Sequence, residues 1–221
     1  MINYKFKIKS IHFPKSKILI IDNFLKEKYL RSITNEIDYL LKNSNDRKPY
    51  FKKYKSKKIE FLNHKNFLKN QKKFIQILKS EKFKKFIQKK LEIEKKIIPD
   101  SSNMFSGFNV VEKGGFLRPH ADFNFNNKLK LYRSINLLIY FNKNWKKKYG
   151  GNLIMYNYSN MKKKYEFIAK ENRAVIFLTN KFTPHGYKKI TTKMKRFSLN
   201  YYYYTKENYS YTEAKHKTIW R

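Results

Sequence analysis

Cysteine is absent from the 221-residue sequence, which excludes disulfides and thiolate metal sites and fits a reducing compartment. No apolar run approaches the ~18 residues that suggest a membrane span. Near the start, Ile18-Leu19-Ile20-Ile21 is too short for the core of a signal peptide, and no small-residue cleavage site follows it. A cytoplasmic protein without a membrane span is the expectation. Acidic residues are few, 16 against 52 Lys and Arg, leaving a formal net charge of +36. Such a charge attracts polyanions at low salt and invites a nucleic-acid reading. Arginine, however, is scarce among the cations. The lysines scatter in pairs and triples, at 52–53, 72–73, 89–90, 146–148 and 162–164, where a dedicated tail would concentrate them. Alanine, glycine and proline are sparse, while Lys, Ile, Asn, Phe and Tyr abound. Those abundant residues have A/T-rich codons. The charge therefore reads as base composition, with nucleic acid held only by non-specific attraction.

What is present is a globular composition, 41% hydrophobic and 18% aromatic, on a chain long enough for one sizeable core. Lys17 to Asp22 reads as a short strand, and Asp22 or Asn23 as the cap of a following helix. Leu25, Tyr29, Ile33, Ile37 and Leu41 recur at helical spacing. Asn43 to Lys58 is polar, contains Pro49 and reads as a loop. A second helical region spans Asn66 to Leu91 with a break near Ser80. From Met104 onward the runs become short and rich in Tyr, Phe, Ile and Val. They cover Phe105 to Val111, Leu131 to Phe141, Asn152 to Tyr156, Tyr165 to Ala169, Arg173 to Leu178 and Arg196 to Tyr204. Turn signals at Lys113-Gly114-Gly115, Asn124 to Asn127, Tyr149-Gly150-Gly151 and Lys170-Glu171-Asn172 separate them. The pattern predicts a mainly β fold with N-terminal helices: residues 1–100 as a strand and helical support, residues 101–221 as a jelly roll, together one compact unit.

One constellation carries chemistry. In Arg118-Pro119-His120-Ala121-Asp122-Phe123, a His and an Asp stand two apart, which on a strand aims both side chains to one side. His185, in Thr183-Pro184-His185-Gly186-Tyr187, is a candidate third ligand, because the strands between can return it beside the first pair. Two His and a carboxylate leave three positions of an octahedral metal open, the arrangement suited to non-haem Fe(II) oxygenases. A zinc hydrolase would accept the same three residues. His12, His64 and His216 have no acidic or His partner at ligand spacing and read as structural. Further along, Arg196 and Ser198 share one face of a strand. A guanidinium fork with a nearby hydroxyl matches a carboxylate such as the distal group of 2-oxoglutarate.

The chain resembles the prolyl-hydroxylase-like branch of the Fe(II)/2-oxoglutarate dioxygenase superfamily. The resemblance rests on Lys113 to Phe123, Arg133 to Trp145, Tyr149 to Leu153, Asn172 to Phe177, Pro184-His185-Gly186 and Arg196 to Thr205, in order and spacing. Ile20 to Leu25 adds to it, and Asn43 to Asn66 matches least. It implies a double-stranded β-helix holding Fe(II) on His120, Asp122 and His185. It further implies 2-oxoglutarate and O₂ as co-substrates, and ascorbate as an accessory reductant. Tyr140 falls where relatives use a Tyr hydroxyl to reach the 2-oxoglutarate carboxylate; a core Tyr is the alternative. The Tyr201 to Tyr204 run reads as a final core strand. Val110 and Val111 stand where relatives often carry Tyr. The implied reaction hydroxylates an unactivated C–H, releasing succinate and CO₂. The implied substrate is a peptide or protein prolyl residue or a small molecule. A glycan, a nucleic acid and a non-catalytic binding role remain alternatives.

Overall fold

The computed structural model describes residues 1–13, 15–43, 50–52, 55–101, 105–208 and 213–221. Two strands open the chain, β1 (Ile8–Phe13) and β2 (Ser16–Ile21), followed by α1 (Glu27–Asn43). Then come β3 (Tyr50–Lys52), β4 (Lys55–Phe61), α2 (Lys69–Lys79), α3 (Glu81–Leu91) and β5 (Ile98–Pro99). Next are β6 (Gly107–Val111), β7 (Leu117–Ala121), β8 (Phe125–Asn126), β9 (Leu131–Tyr140), β10 (Leu153–Tyr156) and β11 (Lys163–Phe167). The remaining strands are β12 (Arg173–Leu178), β13 (His185–Tyr187), β14 (Arg196–Thr205) and β15 (Ile219–Trp220).

The strands pair antiparallel in the order β1-β2-β12-β9-β14-β6-β4-β7-β13-β10-β11. Leu138, Val175 and Phe177 from one end of this ribbon share a buried cluster with Leu153, Met155 and Tyr187 from the other. The ribbon therefore folds back on itself as a double-stranded β-helix. Period-two alternation builds the layers. Along β9, Ile135, Leu137 and Ile139 pack with the helices, while Leu138 and Tyr140 face inward. β12 repeats this, with Ala174, Ile176 and Leu178 outward and Val175 and Phe177 inward. On β14, Leu199, Tyr201 and Tyr203 join the helical layer, and Arg196, Ser198, Asn200 and Tyr202 line an interior cavity. The Tyr run thus completes the sheet.

The helical layer covers the outer face of this wall. Phe24, Phe74 and Phe83 are fully buried there, each burial contributing on the order of 2 kcal/mol. The Glu36 carboxylate on α1 accepts from the backbone N–H of Asn70 and Gln71, capping α2 from a neighbouring helix. The break at Ser80 is a cap: its Oγ accepts from the Phe83 N–H and starts α3.

Two expectations need correction, and one pairing has no counterpart in the sequence reading. Residues 43–58 are not all loop, since β3 and the first part of β4 lie there; Pro49 is outside the described residues. Asp22 does not cap a helix. Its carboxylate takes Arg173 at 2.7 and 2.9 Å and Lys170 at 3.0 Å, Asn23 turns with φ +56°, and α1 begins only at Glu27. Finally, β1 pairs along the whole of β2, from Ile8 opposite Ile21 to Phe13 opposite Ser16. Among the described residues, no helix is long and apolar enough to cross a membrane.

Candidate metal centre

β7 and β13 pair antiparallel with His120 directly opposite His185. Gly186 permits the approach, because a Cβ there would lie 2.6 Å from the Leu117 carbonyl oxygen. The same pairing shifts register between His185 and Tyr187. Asp122 follows β7 by one residue, two after His120. One ligand atom from each of His120, Asp122 and His185 lies within 4.8 Å of the others. His120 Nε2 is 3.3 Å from Asp122 Oδ1, and His185 Nε2 is 3.6 Å from Asp122 Oδ2.

The imidazoles are fixed from behind. His120 Nδ1 lies 3.0 Å from the Arg118 carbonyl, and His185 Nδ1 lies 3.0 Å from that of Thr183. A carbonyl only accepts, so each Nδ1 carries a proton and each Nε2 is the ring nitrogen turned towards Asp122. Burial, reinforced by His120, pulls the His185 imidazole down to about 4, so it is neutral at pH 7. Burial pushes the Asp122 carboxyl up, but Arg133 and the two imidazoles outweigh it and hold the group well below the usual carboxylate range. The site offers a neutral His185 imidazole and an ionised Asp122 carboxylate, the protonation states a metal requires, with His120 Nε2 beside them.

Sequence reasoning missed the support of Asp122. Its Oδ2 accepts from Arg133 Nη2 at 2.9 Å and from Asn136 Nδ2 at 2.8 Å. Asn136 Oδ1 in turn accepts from Arg133 Nε at 3.2 Å and from the Thr179 hydroxyl at 3.2 Å. The Arg133 guanidinium lies 3.6 Å from the centre of the Tyr202 ring. Asn136 shares the inward alternation of Leu138 and Tyr140, whereas Arg133 reaches the cavity past a register shift between β9 and β14 that period-two reading does not show.

The three residues open into a cavity of about 420 Å³. Arg196 and Ser198 lie on its wall, as their shared strand face requires. Arg196 is 5% exposed, donates from Nε to the Gly151 carbonyl at 2.6 Å, and approaches the Ser198 hydroxyl at 3.4 Å. Among the described residues no carboxylate pairs with it. Gly151 makes room, since a Cβ there would meet Arg196 Cδ at 2.9 Å, and its φ is +66°. Tyr140 stands opposite Ser198 on β9, with its ring 5.0 Å from the Arg196 guanidinium. Its hydroxyl is buried beside that guanidinium, and burial raises its pKa against the pull of Arg196. Leu117, Leu138, Leu153 and Tyr187 supply apolar wall. Trp220 on β15 pairs with His120 and stacks on its ring at 4.8 Å. A larger hollow of about 780 Å³ lies beside α1 and contains none of these groups. Of the other histidines, His64 faces the Ser106 carbonyl, while His216 has the acidic partner that sequence spacing did not suggest, Glu213 at 2.9 Å.

Residues 106–204 match the family model described as the 2OG-Fe(II) oxygenase superfamily. That span contains the three clustered ligands and Arg196. The chain carries a 2OG-Fe(II) oxygenase domain. It is a 2-oxoglutarate-dependent dioxygenase, with Fe(II), 2-oxoglutarate and O₂ as cofactor and co-substrates. No curated protein sequence matches it. Solved structures share its fold. A prolyl-4-hydroxylase from Pseudomonas putida is 16% identical, with a TM-score of 0.66 over 86% of this chain and 93% of its own. A Trichoplax adhaerens prolyl hydroxylase, solved with a hypoxia inducible factor peptide fragment, is also 16% identical, with a TM-score of 0.66 over 89% and 87%. HygX of Streptomyces hygroscopicus, solved with nickel, 2-oxoglutarate and hygromycin B, is 8% identical, with a TM-score of 0.60 over 85% and 82%. The oxygenase donor set fits this cavity: two imidazoles and one carboxylate on one side, an unmatched guanidinium on another.

Proposed function

We propose that this oxygenase hydroxylates an unactivated carbon of a peptide, in the manner of a prolyl hydroxylase, with succinate and CO₂ as co-products. One observation carries the reading. Of two buried guanidiniums on the cavity wall, Arg133 is matched by Asp122 and Arg196 is not. A buried, unpaired cation is costly and calls for an anion. A five-carbon dicarboxylate bound between Arg196 and the triad would satisfy it.

In this reading His120, Asp122 and His185 hold the metal. Fe(II) bound there supplies the O₂ activation that couples oxidative decarboxylation of 2-oxoglutarate to oxidation of the substrate. Arg196 and the Ser198 hydroxyl clamp the distal carboxylate. The buried Tyr140 hydroxyl, beside Arg196 and otherwise unpartnered, can donate to the same group. Leu117, Leu138, Leu153 and Tyr187 exclude water around it. The Asn136 amide and Arg133 keep Asp122 ionised and oriented.

The peptide preference is supported by the fold shared with two prolyl hydroxylases, one of them solved with a peptide. The HygX likeness keeps a small hydroxylated metabolite as the second reading. The deciding measurement is succinate release under Fe(II), 2-oxoglutarate and air, alone and with proline-containing peptides or with aminoglycosides. Peptide-stimulated release with a product heavier by one oxygen atom supports the proposal. Stimulation by the small molecule alone moves the assignment to the second reading. No succinate under any condition sinks both.

A further inference from the structure

The metal cavity does not end at its mouth. Phe105, Phe123 and Thr218 line it, and the same three residues line a second hollow of about 560 Å³. The two form one path leading out from the ligands. The outer part has an aromatic floor. Phe105 and Phe123 pack at 5.3 Å, and Phe125 packs on Tyr132 at 4.8 Å. Its rim carries Lys128, Lys215 and Lys217, with no acidic residue among its lining. Among the described residues none of these three lysines has a carboxylate partner. The Lys215 ammonium lies 3.9 Å from the Phe125 ring centre.

The wall bearing Lys215 and Lys217 is anchored. Residues 213–221 form a strap tied to both ligand-bearing segments. Asn124, two residues after Asp122, donates its backbone N–H to His216 O at 3.3 Å and accepts from His216 N at 2.8 Å. Glu213 accepts from the Lys181 N–H, on the approach to His185, and Arg221 N donates to Pro119 O. The lysines are thus held at a fixed place relative to the metal ligands.

Resting on the oxygenase reading above, we propose that this groove binds the flank of an extended, acidic peptide. Its carboxylates would lie on Lys128, Lys215 and Lys217, its apolar side chains on the phenyl floor, and its reacting residue in the metal cavity. Charge complementarity names the sign of the partner. Ring geometry favours a peptide over single-stranded nucleic acid. The two aromatic pairs are inclined at 58° and 64°, so no parallel slot receives a base. Lys215 already covers a Phe125 face, and the cations are lysines, without the guanidinium planes that stack on bases.

The test separates local charge from global charge. Labelled proline-containing peptides with acidic or basic flanks, and an oligo-dT, are titrated by anisotropy at physiological salt. The proteins are the full wild-type chain, Lys128→Glu/Lys215→Glu/Lys217→Glu, and a control reversing Lys146, Lys147 and Lys148, which line neither hollow. A Lys→Gln triple variant at the groove positions stands in if charge reversal impairs folding. The acidic peptide should bind wild type at least about tenfold tighter than the basic one, equivalent to ~1.4 kcal/mol. That preference should vanish in the groove variant and persist in the control. Equal losses in groove and control variants overturn the proposal, because the binding would then be bulk electrostatics. Tighter binding of oligo-dT, abolished by the groove variant alone, overturns it in favour of nucleic acid. Succinate release by wild type is measured separately. Its absence refutes the oxygenase reading, whereas normal release with unchanged peptide binding in the groove variant refutes only this inference.

Discussion

Asn136 uses both ends of its amide at the metal centre, donating to Asp122 and accepting from Arg133 and Thr179. Leucine has the same number and branching of side-chain heavy atoms and neither function. Asn136→Leu should lower affinity for divalent metal by about 10–100-fold, the usual effect of losing such a supporting bond. Titration of the apo protein by calorimetry reads this directly, and wild-type affinity would remove Asn136 from the site. At Gly151 the constraint is space and backbone together. The φ of +66° disfavours any side chain, and Arg196 Cδ would be 2.9 Å from the new Cβ. Gly151→Ala should therefore displace Arg196 and raise the KM for 2-oxoglutarate about tenfold or more. Because the triad is on other strands, metal affinity should hold. A fall in metal affinity with unchanged KM would contradict this division of labour. His120 and Asp122 are legible in the sequence because a two-residue step on a strand is a geometric statement. Asn136 and Gly151 are not, because an Asn in an apolar strand and a Gly in a turn have many ordinary uses.

At the scale of elements, β9, β12 and β14 were legible from their apolar runs, and the start of β4 was not. β12 agrees with its run residue for residue, and β9 and β14 to within one. The first part of β4, Lys55 to Lys58, reads as loop because every residue there is polar. Ile59 and Phe61 enter the core, while Lys58 and Glu60 line the metal cavity as an ion pair. Hydrophobic periodicity reports burial in a dry core and fails where the interior is built to hold a polar ligand. The strap at 213–221 is illegible for a related reason, since its anchors are hydrogen bonds. Its Glu213–His216 contact gives it a pH dependence. Burial pulls the His216 imidazole down, but the bonds it makes to Glu213 and to the Lys217 carbonyl raise it above its usual value overall. A group raised on folding stabilises fully below its unfolded pKa, near 6.5 for His, and loses that contribution as pH rises through the folded value. Glu213→Gln keeps an acceptor for the Lys181 N–H but removes the charge. The gap in melting temperature between wild type and Glu213→Gln should be widest below about pH 6 and should narrow in alkaline buffer. A gap that widens with pH would show that the contact does not titrate this way.

For the whole molecule, the charge of +36 is spread over helices, loops and strand ends. Arg133 and Arg173 are bound to carboxylates, and Arg196 stands unmatched in the cavity. These three arginines sit at sites of fixed geometry, whereas Arg31 is exposed in an i,i+4 pair with Glu27 on α1. Another whole-molecule property follows from the pairing of His120 with His185. β7 and β13 are distant in sequence and meet over only a few residues. An ion shared by their histidines would staple the two halves of the barrel, and a ligand that binds only the folded state stabilises it by mass action. At a hundredfold excess over its Kd this amounts to ~2.7 kcal/mol. Chelation should lower the melting temperature and speed proteolysis, and added metal should reverse both; an unchanged digestion rate would refute the staple. In a cell, the standing amount of this protein would then follow the iron supply, with starvation shortening its lifetime before any change in its synthesis.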